Sequence, residues 1–377
     1  MKLGELIEAS TLRNKGASCQ TVYSVTNSQG FVPSADYFNK EVFSKELNTY
    51  RIVKRGMIAY NPSRINVGSV VLQDKSDEVV VSPLYIVFST NAEKLLPAYL
   101  VRFLKSVPGQ SQVAFQSTGT VRSNLKFEAL SRISIFLPAL AEQERRVAKL
   151  KSIEHQISLA EKQIALLDQL VKSRFVEVFI ETGKPNPVVC LGDYCKHVNN
   201  GITRRDNDTE GSIVLRLVEL QEGLIDYSSV NRMVLTDREK AKFLLNDGDI
   251  LFARVNGNPD NVGRCSAFFG ISEPVFHNDH IIRATIAPGY FEPIYIAQFV
   301  NSPFGREQIC KGLKTSAGQY TINQEGIANV QIPLPPLSLQ QEFASFVSQV
   351  DKSQFVVRQQ IEKLQTLYYS LAQEYFA

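Results

Sequence analysis

LPALAEQERRVA (137–148) and LPPLSLQQEFAS (334–345) open the two stretches that decide the architecture of this chain. Each leads into a long helical pattern that closes on an aromatic residue, DQLVKSRFVEVF ending at Phe179 and QTLYYSLAQEYF ending at Phe376. The offset is 197 residues at both ends. A match held without a gap over a whole helix marks an internal duplication. In the first helix Leu150, Ile157, Ile164, Val171 and Val178 share one heptad position, and Ile153, Ala160, Leu167 and Arg174 the other core position. The second helix repeats this with Val347, Gln354, Ile361, Tyr368 and Tyr375, and with Val350, Val357, Leu364 and Leu371. Such a seam, flanked by charge, predicts that the two helices pack on each other as a coiled coil. A complete domain separates them, so an antiparallel pair is expected, with a pseudo-twofold axis relating the copies. About 39 residues at ~1.5 Å each predict a rod of roughly 58 Å with a globular domain at either end.

The repeat continues upstream with drifting offsets, as loop insertions produce. RGMIAYNPSRINVGSVVL (55–72) parallels DGDILFARVNGNPDNVGRCSAF (247–268), and LLPAYLVRFLKS (95–106) parallels FEPIYIAQFVNS (291–302). TGTVRSNLKFEALSRISIFLP (118–138) parallels AGQYTINQEGIANVQIPLP (317–335). Short β-branched and aromatic runs predict strands at 79–81, 84–88, 133–137, 213–218, 250–252 and 280–286. One short helix per copy is expected, over 97–105 and 293–300, each opened by proline. The fold class is therefore α+β: two similar domains over 1–137 and 188–334, helices over 138–181 and 335–377, and a linker at 182–187 (TGKPNP).

At 377 residues, 44% hydrophobic and 21% charged, the composition is that of a folded protein. No apolar run approaches the roughly 20 residues of a membrane span, and MKLGELIEAS has no leader-like apolar core. Cys19, Cys190, Cys195, Cys265 and Cys310 form no CxxC pair. They are read as ordinary thiols of a reduced, cytosolic chain. The net charge of +3 is unevenly shared. Residues 1–137 carry 16 Lys and Arg against 10 Asp and Glu, whereas 188–334 carry 14 against 17. The first domain suits a polyanion.

Catalytic templates are missing. There is no GxxxxGK[ST] loop, and no GxGxxG follows a strand. AYNPSR (59–64) lacks the second proline and the aromatic of an adenine-methyltransferase motif, and no glycine-rich S-adenosylmethionine loop accompanies it. His277 with His280, and Cys190, Cys195 and His197, match no metal-ligand spacing. Pro259-Asp260 lacks a nuclease's downstream acidic-x-Lys. The residues describe two binding heads without a catalytic centre, cofactor or metal. That fits a DNA reader, or a two-headed scaffold for proteins or small ligands.

The ordered set of motifs resembles the specificity subunits of type I restriction–modification enzymes over nearly the whole chain. The two helix starts, LVKSRFVEVF (170–179), GDILFAR (248–254), NPSRINVG (61–68), LGDYCKHVNNGIT (191–203) and VYSVTNSQGFVP (22–33) carry the resemblance. It implies two target-recognition domains, each reading one half of an asymmetric bipartite site in double-stranded DNA. It also implies that the helices space them and dock two modification subunits, which bring S-adenosylmethionine and adenine methylation. A restriction subunit is the further partner implied. Base reading calls for polar and cationic side chains on loops. Candidates in the first domain are Arg13, Asn61, Ser63, Arg64, Thr120, Arg122, Ser123 and Asn124. In the second they are Thr203, Arg204, Arg205, Arg254, Asn256, Asn258, Gln319 and Tyr320.

Overall fold

A computed structural model describes residues 1–26, 30–34, 46–117, 124–181, 186–208, 210–316 and 318–377. The chain divides into two compact units, residues 1–162 with 358–377 (unit 1) and residues 163–357 (unit 2). Each unit holds a mixed α+β body and a part of both long helices.

Unit 1 is built on a four-stranded sheet of β1 (Ile7–Ala9), β2 (Ile58–Tyr60), β3 (Val70–Leu72) and β4 (Ile86–Thr90), in the order β1-β4-β2-β3. Unit 2 repeats it with β5 (Cys195–Asn200), β6 (Ile250–Ala253), β7 (Cys265–Ala267) and β8 (Ile281–Ile286), in the order β5-β8-β6-β7. All pairings are antiparallel, and the registers correspond: Ile58 faces Phe88 and Leu72, and Ile250 faces Ala284 and Ala267. The strands alternate little, because both faces are covered: every residue of β2 and of β6 is buried.

The single short helix expected per copy is followed directly by a second: α1 (Pro97–Lys105) by α2 (Val107–Gln116) in unit 1, α4 (Pro293–Asn301) by α5 (Pro303–Lys311) in unit 2, with a further one-turn helix at Phe127–Leu130 and at Gln324–Ala328. The break is a capped turn. Ser106 Oγ accepts from Gly109 N and Ser302 Oγ from Gly305 N, each starting a new helix. Glycine is required there. A Cβ on Gly109 would lie 1.9 Å from the Phe103 carbonyl oxygen, and one on Gly305 2.1 Å from that of Phe299. The serine–proline–glycine groups at 106–109 and 302–305 carried this signal in the sequence.

The expected strand at 133–137 forms only an isolated bridge, Ser134 to Lys2. The chain turns into a 3-10 helix at Leu3–Glu5, which ends the ladder. Its counterpart in unit 2 does pair, Gln331–Pro333 against Val188–Cys190. The run at 84–88 starts as a strand only at Ile86, with Leu84 80% exposed in the preceding turn. The run at 213–218 ends at Leu215, and that at 280–286 starts at Ile281.

The long helices are α3 (Leu140–Phe179) and α6 (Leu337–Phe376). Within unit 1, Arg146 Nη1 donates to the Tyr375 carbonyl at 2.7 Å and the Tyr368 hydroxyl to Glu154 Oε1 at 3.0 Å. Within unit 2, Gln354 Nε2 donates to Asp168 Oδ1 at 2.7 Å, and Val171 shares a core with Val347 and Val350. Residue numbers fall on one helix as they rise on the other, so the pair is antiparallel in each unit. Leu150, Ile153, Val171, Val347, Val350 and Val357 are buried; Ile157, Ile164, Leu167, Val178, Ile361, Leu364, Tyr368 and Leu371 are half-buried. Gln354, the polar member of the second helix's seam, is thereby satisfied rather than stranded.

The shared helix-start motif has a defined task. Gln143 Oε1 accepts from Leu96 N, and its Nε2 donates to the Lys94 and Pro138 carbonyls. Gln340 does the same with Glu292 N and the Tyr290 and Pro335 carbonyls. Both glutamines are fully buried. Each ties the long helix to the segment that opens the first short helix, so helix and sheet body are one packed piece within each unit.

Candidate nucleic-acid interface

In both units several of the polar candidates lie close together, at the mouth formed by the segment after the central strand and the loop before its neighbour. In unit 1 these are Asn61–Arg64 after β2 and Pro83–Tyr85 before β4. A backbone bond from Leu125 N to the Pro62 carbonyl brings Asn124 and Lys126 alongside. The result is a cleft of about 560 Å³ lined by Arg51, Asn61, Ser63, Arg64, Tyr85, Asn124 and Lys126, together with Pro62 and Pro83–Ile86. Among the described residues, three cations and no carboxylate line it. Arg51 is anchored by its Nε to the Pro83 carbonyl. Burial and the neighbouring Arg13 lower its pKa from the usual guanidinium range. An anion entering the cleft would favour its charged form.

Four of the sequence candidates, Asn61, Ser63, Arg64 and Asn124, are thus gathered. Arg13 lies outside the cleft lining and donates to the Thr49 carbonyl. Thr120, Arg122 and Ser123 lie outside the described residues. Arg51, Tyr85 and Lys126 were missed in the sequence. Arg51 sits on a separate two-stranded ladder, Arg51–Lys54 with Glu78–Val81, so only tertiary folding brings it to the mouth.

In unit 2 the corresponding segment is Arg254–Asn258 after β6. Ile322 N bonds the Arg254 carbonyl, and Val255–Asn256 pairs with Gln319–Thr321. Arg254, Asn256, Gln319 and Tyr320 are therefore neighbours. The side-chain oxygens of Asn256 and Asn258 accept from Asn258 N and Asp260 N, which fixes the turn. The loop before β8 is Asn278–His280. It is tied down by Asn278 N to the Leu215 carbonyl, Asp279 N to that of Ile202 and Arg254 N to that of His280. Thr203 is exposed beside it.

The adjacent arginines 204 and 205 separate sharply. Arg204 is held by Glu239, Asp206 and the Val234 carbonyl. Glu239 also completes the capping box of the Asp237–Phe243 helix. Its hydrogen bonds from Arg204, then from Thr236, hold its carboxyl down at about 2. Arg204 is a structural ion pair. The Arg205 side chain is 62% exposed and reaches the Asn278–His280 loop, with Nη2 2.6 Å from His280 Nε2 and 3.5 Å from Asp279 Oδ1. Deeper in the unit, His277 is fully buried beside the Phe243 ring, and burial, then Arg283, drives its imidazole down to about 3.

Comparison with known proteins agrees with this architecture. Residues 1–169 and 186–366 match the family described as "Type I restriction modification DNA specificity domain". The chain is 27% identical over 297 residues to the type I restriction enzyme StySPI specificity subunit of Salmonella potsdam, an alignment covering 74% of this chain and 64% of that subunit. It is 26% identical over 277 residues to the EcoKI specificity subunit of Escherichia coli K12, covering 68% and 59%. The chain thus spans less than two thirds of these relatives' length. Among solved structures, its fold is similar to the S subunit of a type I restriction–modification system from M. genitalium, with a TM-score of 0.58 at 11% identity, covering 100% of this chain and 95% of that one. A chain from a study of complex assembly and conformational transition in a type I system gives a TM-score of 0.60 at 15% identity, covering 100% and 96%.

Proposed function

Because the chain belongs to the family of type I restriction–modification DNA specificity domains, we propose that it is the non-catalytic DNA reader of such a system. Residues 1–137 and 188–334 are the recognition domains, each taking one half of an asymmetric bipartite site. Residues 138–181 and 335–377 are the helices that space and dock, and 182–187 join the halves. The observation that carries this reading is the recurrence of one polar mouth at the same point of two like but non-identical sheets. A duplicated scaffold with unlike loops suits two unlike half-sites.

The helices support the docking role. Leu159, Leu166 and Leu170 on α3 and Val356 and Leu367 on α6 are 43–65% exposed. In the heptad they occupy positions c and g, which adjoin on the helix, and antiparallel pairing sets the g flanks side by side. Unit 1 presents Leu159 with Leu367; unit 2 presents Leu166 and Leu170 with Val356. The 197-residue offset relates Leu159 to Val356 and Leu170 to Leu367. Two equivalent apolar flanks suit two copies of one partner, the modification subunit, with a restriction subunit joining the assembly.

Comparing genomic methylation with and without this gene tests the reading: loss of one bipartite adenine-methylation motif is expected. Replacing residues 1–137 by a relative's domain should change one half of that motif only. Change in both halves or neither refutes the division. The spacing role is tested by one added heptad in each helix. Glu154 faces Tyr368, so the matched levels are after Ile157 and after Leu364. The insertion adds about 10.5 Å, or roughly three base pairs of spacer. An active variant with an unchanged spacer contradicts it.

A further inference from the structure

Resting on the proposed DNA-reading role, the geometry points to Arg205 as a guanine-reading residue of unit 2, with Asp279 and His280 as the residues that position it. The neighbouring Arg204 cannot serve, since three acceptors occupy its guanidinium. Arg205 is exposed, yet one end is fastened to the Asn278–His280 loop. That loop is rigid: besides its three backbone anchors, the Asp279 carbonyl accepts from Arg254 Nη1 at 3.0 Å and His280 N donates to Asn278 Oδ1 at 3.1 Å.

The chemistry of the buttress fits a base edge better than a phosphate. His280 is half-buried beside Arg205 and Arg254, and burial, then Arg205, lowers its pKa from the ordinary histidine range. Neutral imidazole can accept the Arg205 N–H through Nε2. The Asp279 carboxylate beside the guanidinium would repel a phosphate, but not the uncharged O6 and N7 acceptors of guanine. Arg205 Nη1 has no acceptor among the described residues and is left to donate to one of these two acceptors while Nη2 stays on the loop. A fixed guanidinium loses little conformational freedom on contact, so geometry discriminates bases where a loose arginine would only supply charge.

The test is selection from a randomised duplex library by the full-length chain assembled with its modification subunits. The wild type should select a bipartite sequence with guanine at a fixed position of the half read by residues 188–334. Arg205→Ala should lose about 10- to 100-fold of the preference at that one position and leave the other half-site intact. Arg205→Lys should not restore it, because a single ammonium nitrogen cannot hold the loop and donate to the base at a fixed angle. Asp279→Asn, which keeps the size of the side chain, should relax the same position and no other, which a general loss of folding would not do. If Arg205→Ala weakens all sequences alike and lowers the salt dependence of binding by about one ion, Arg205 is a phosphate contact and the assignment is wrong. An unchanged motif overturns it equally, with the DNA-reading role intact. A wild type that selects no sequence overturns that role and this assignment together.

Discussion

The two mouths occupy equivalent points of two like sheets and differ in how they treat their cations. Unit 1 leaves Arg51, Arg64 and Lys126 around a cleft lined, among the described residues, by no carboxylate. Unit 2 binds Arg204 to Glu239 and Asp206 and sets Arg205 against Asp279 and His280. A scaffold can thus be duplicated while its electrostatics diverge, because the loops that carry charge are not the strands that carry the core. On the proposed reading, unit 1 grips a backbone and unit 2 gives up general attraction for orientation.

The same divergence runs into the cores. Phe343 of unit 2 lies in an aromatic cluster with Phe175 and Phe179, at ring distances of 5.7 and 5.3 Å. The equivalent residue of unit 1 is Arg146, laid over the Tyr375 and Phe136 rings. Phe343→Ala should cost unit 2 about 3–5 kcal/mol. Arg146→Ala should cost unit 1 less, about 1–2 kcal/mol, since a cation over the exposed Phe136 and half-buried Tyr375 rings is worth less than buried aromatic volume. Hydrogen exchange followed separately in peptides of each unit measures both; equal losses would break the contrast.

The glutamine clamps predict the opposite, parity. Gln143→Leu and Gln340→Leu each leave a backbone N–H and two carbonyls unpaired, and each should cost about 2–4 kcal/mol. A large inequality between them would show that one unit resatisfies those groups.

Acid should separate the units again. His277 titrates at about 3 in the folded chain, against 6.5 when unfolded. Its neutral form therefore contributes stability that is fully present above pH ~6.5 and lost as pH falls toward 3, at most about 5 kcal/mol. Unit 2 should open first on acidification. His277→Leu should flatten that dependence, read from urea midpoints between pH 7 and pH 4. The smallest effect belongs to the exposed cations. Arg64→Gln and Lys126→Gln should leave stability within about 0.5 kcal/mol. Each should reduce the salt slope of DNA binding by roughly one, without altering the sequence selected.

The duplication, the α+β class and the seam were legible in the residues because periodicity is local: heptads and a fixed offset survive without knowledge of contacts. The helix starts were recognisable by the same rule, although the glutamine's hydrogen bonds were not. Proline positions set the beginnings of α1 and α4, while the serine–glycine groups that begin α2 and α5 went unread. What only the tertiary structure decided is the company each side chain keeps. Arg204 and Arg205 are adjacent in sequence and alike in chemistry, yet one meets Glu239 and the other Asp279 and His280, residues 35 to 75 positions away. Arg51 reaches its cleft from another ladder, and Gln354, a flaw in the heptad, finds Asp168 across the helix pair. A hydrogen bond or ion pair depends on a few tenths of an ångström between distant segments, and one-dimensional spacing carries no such distance.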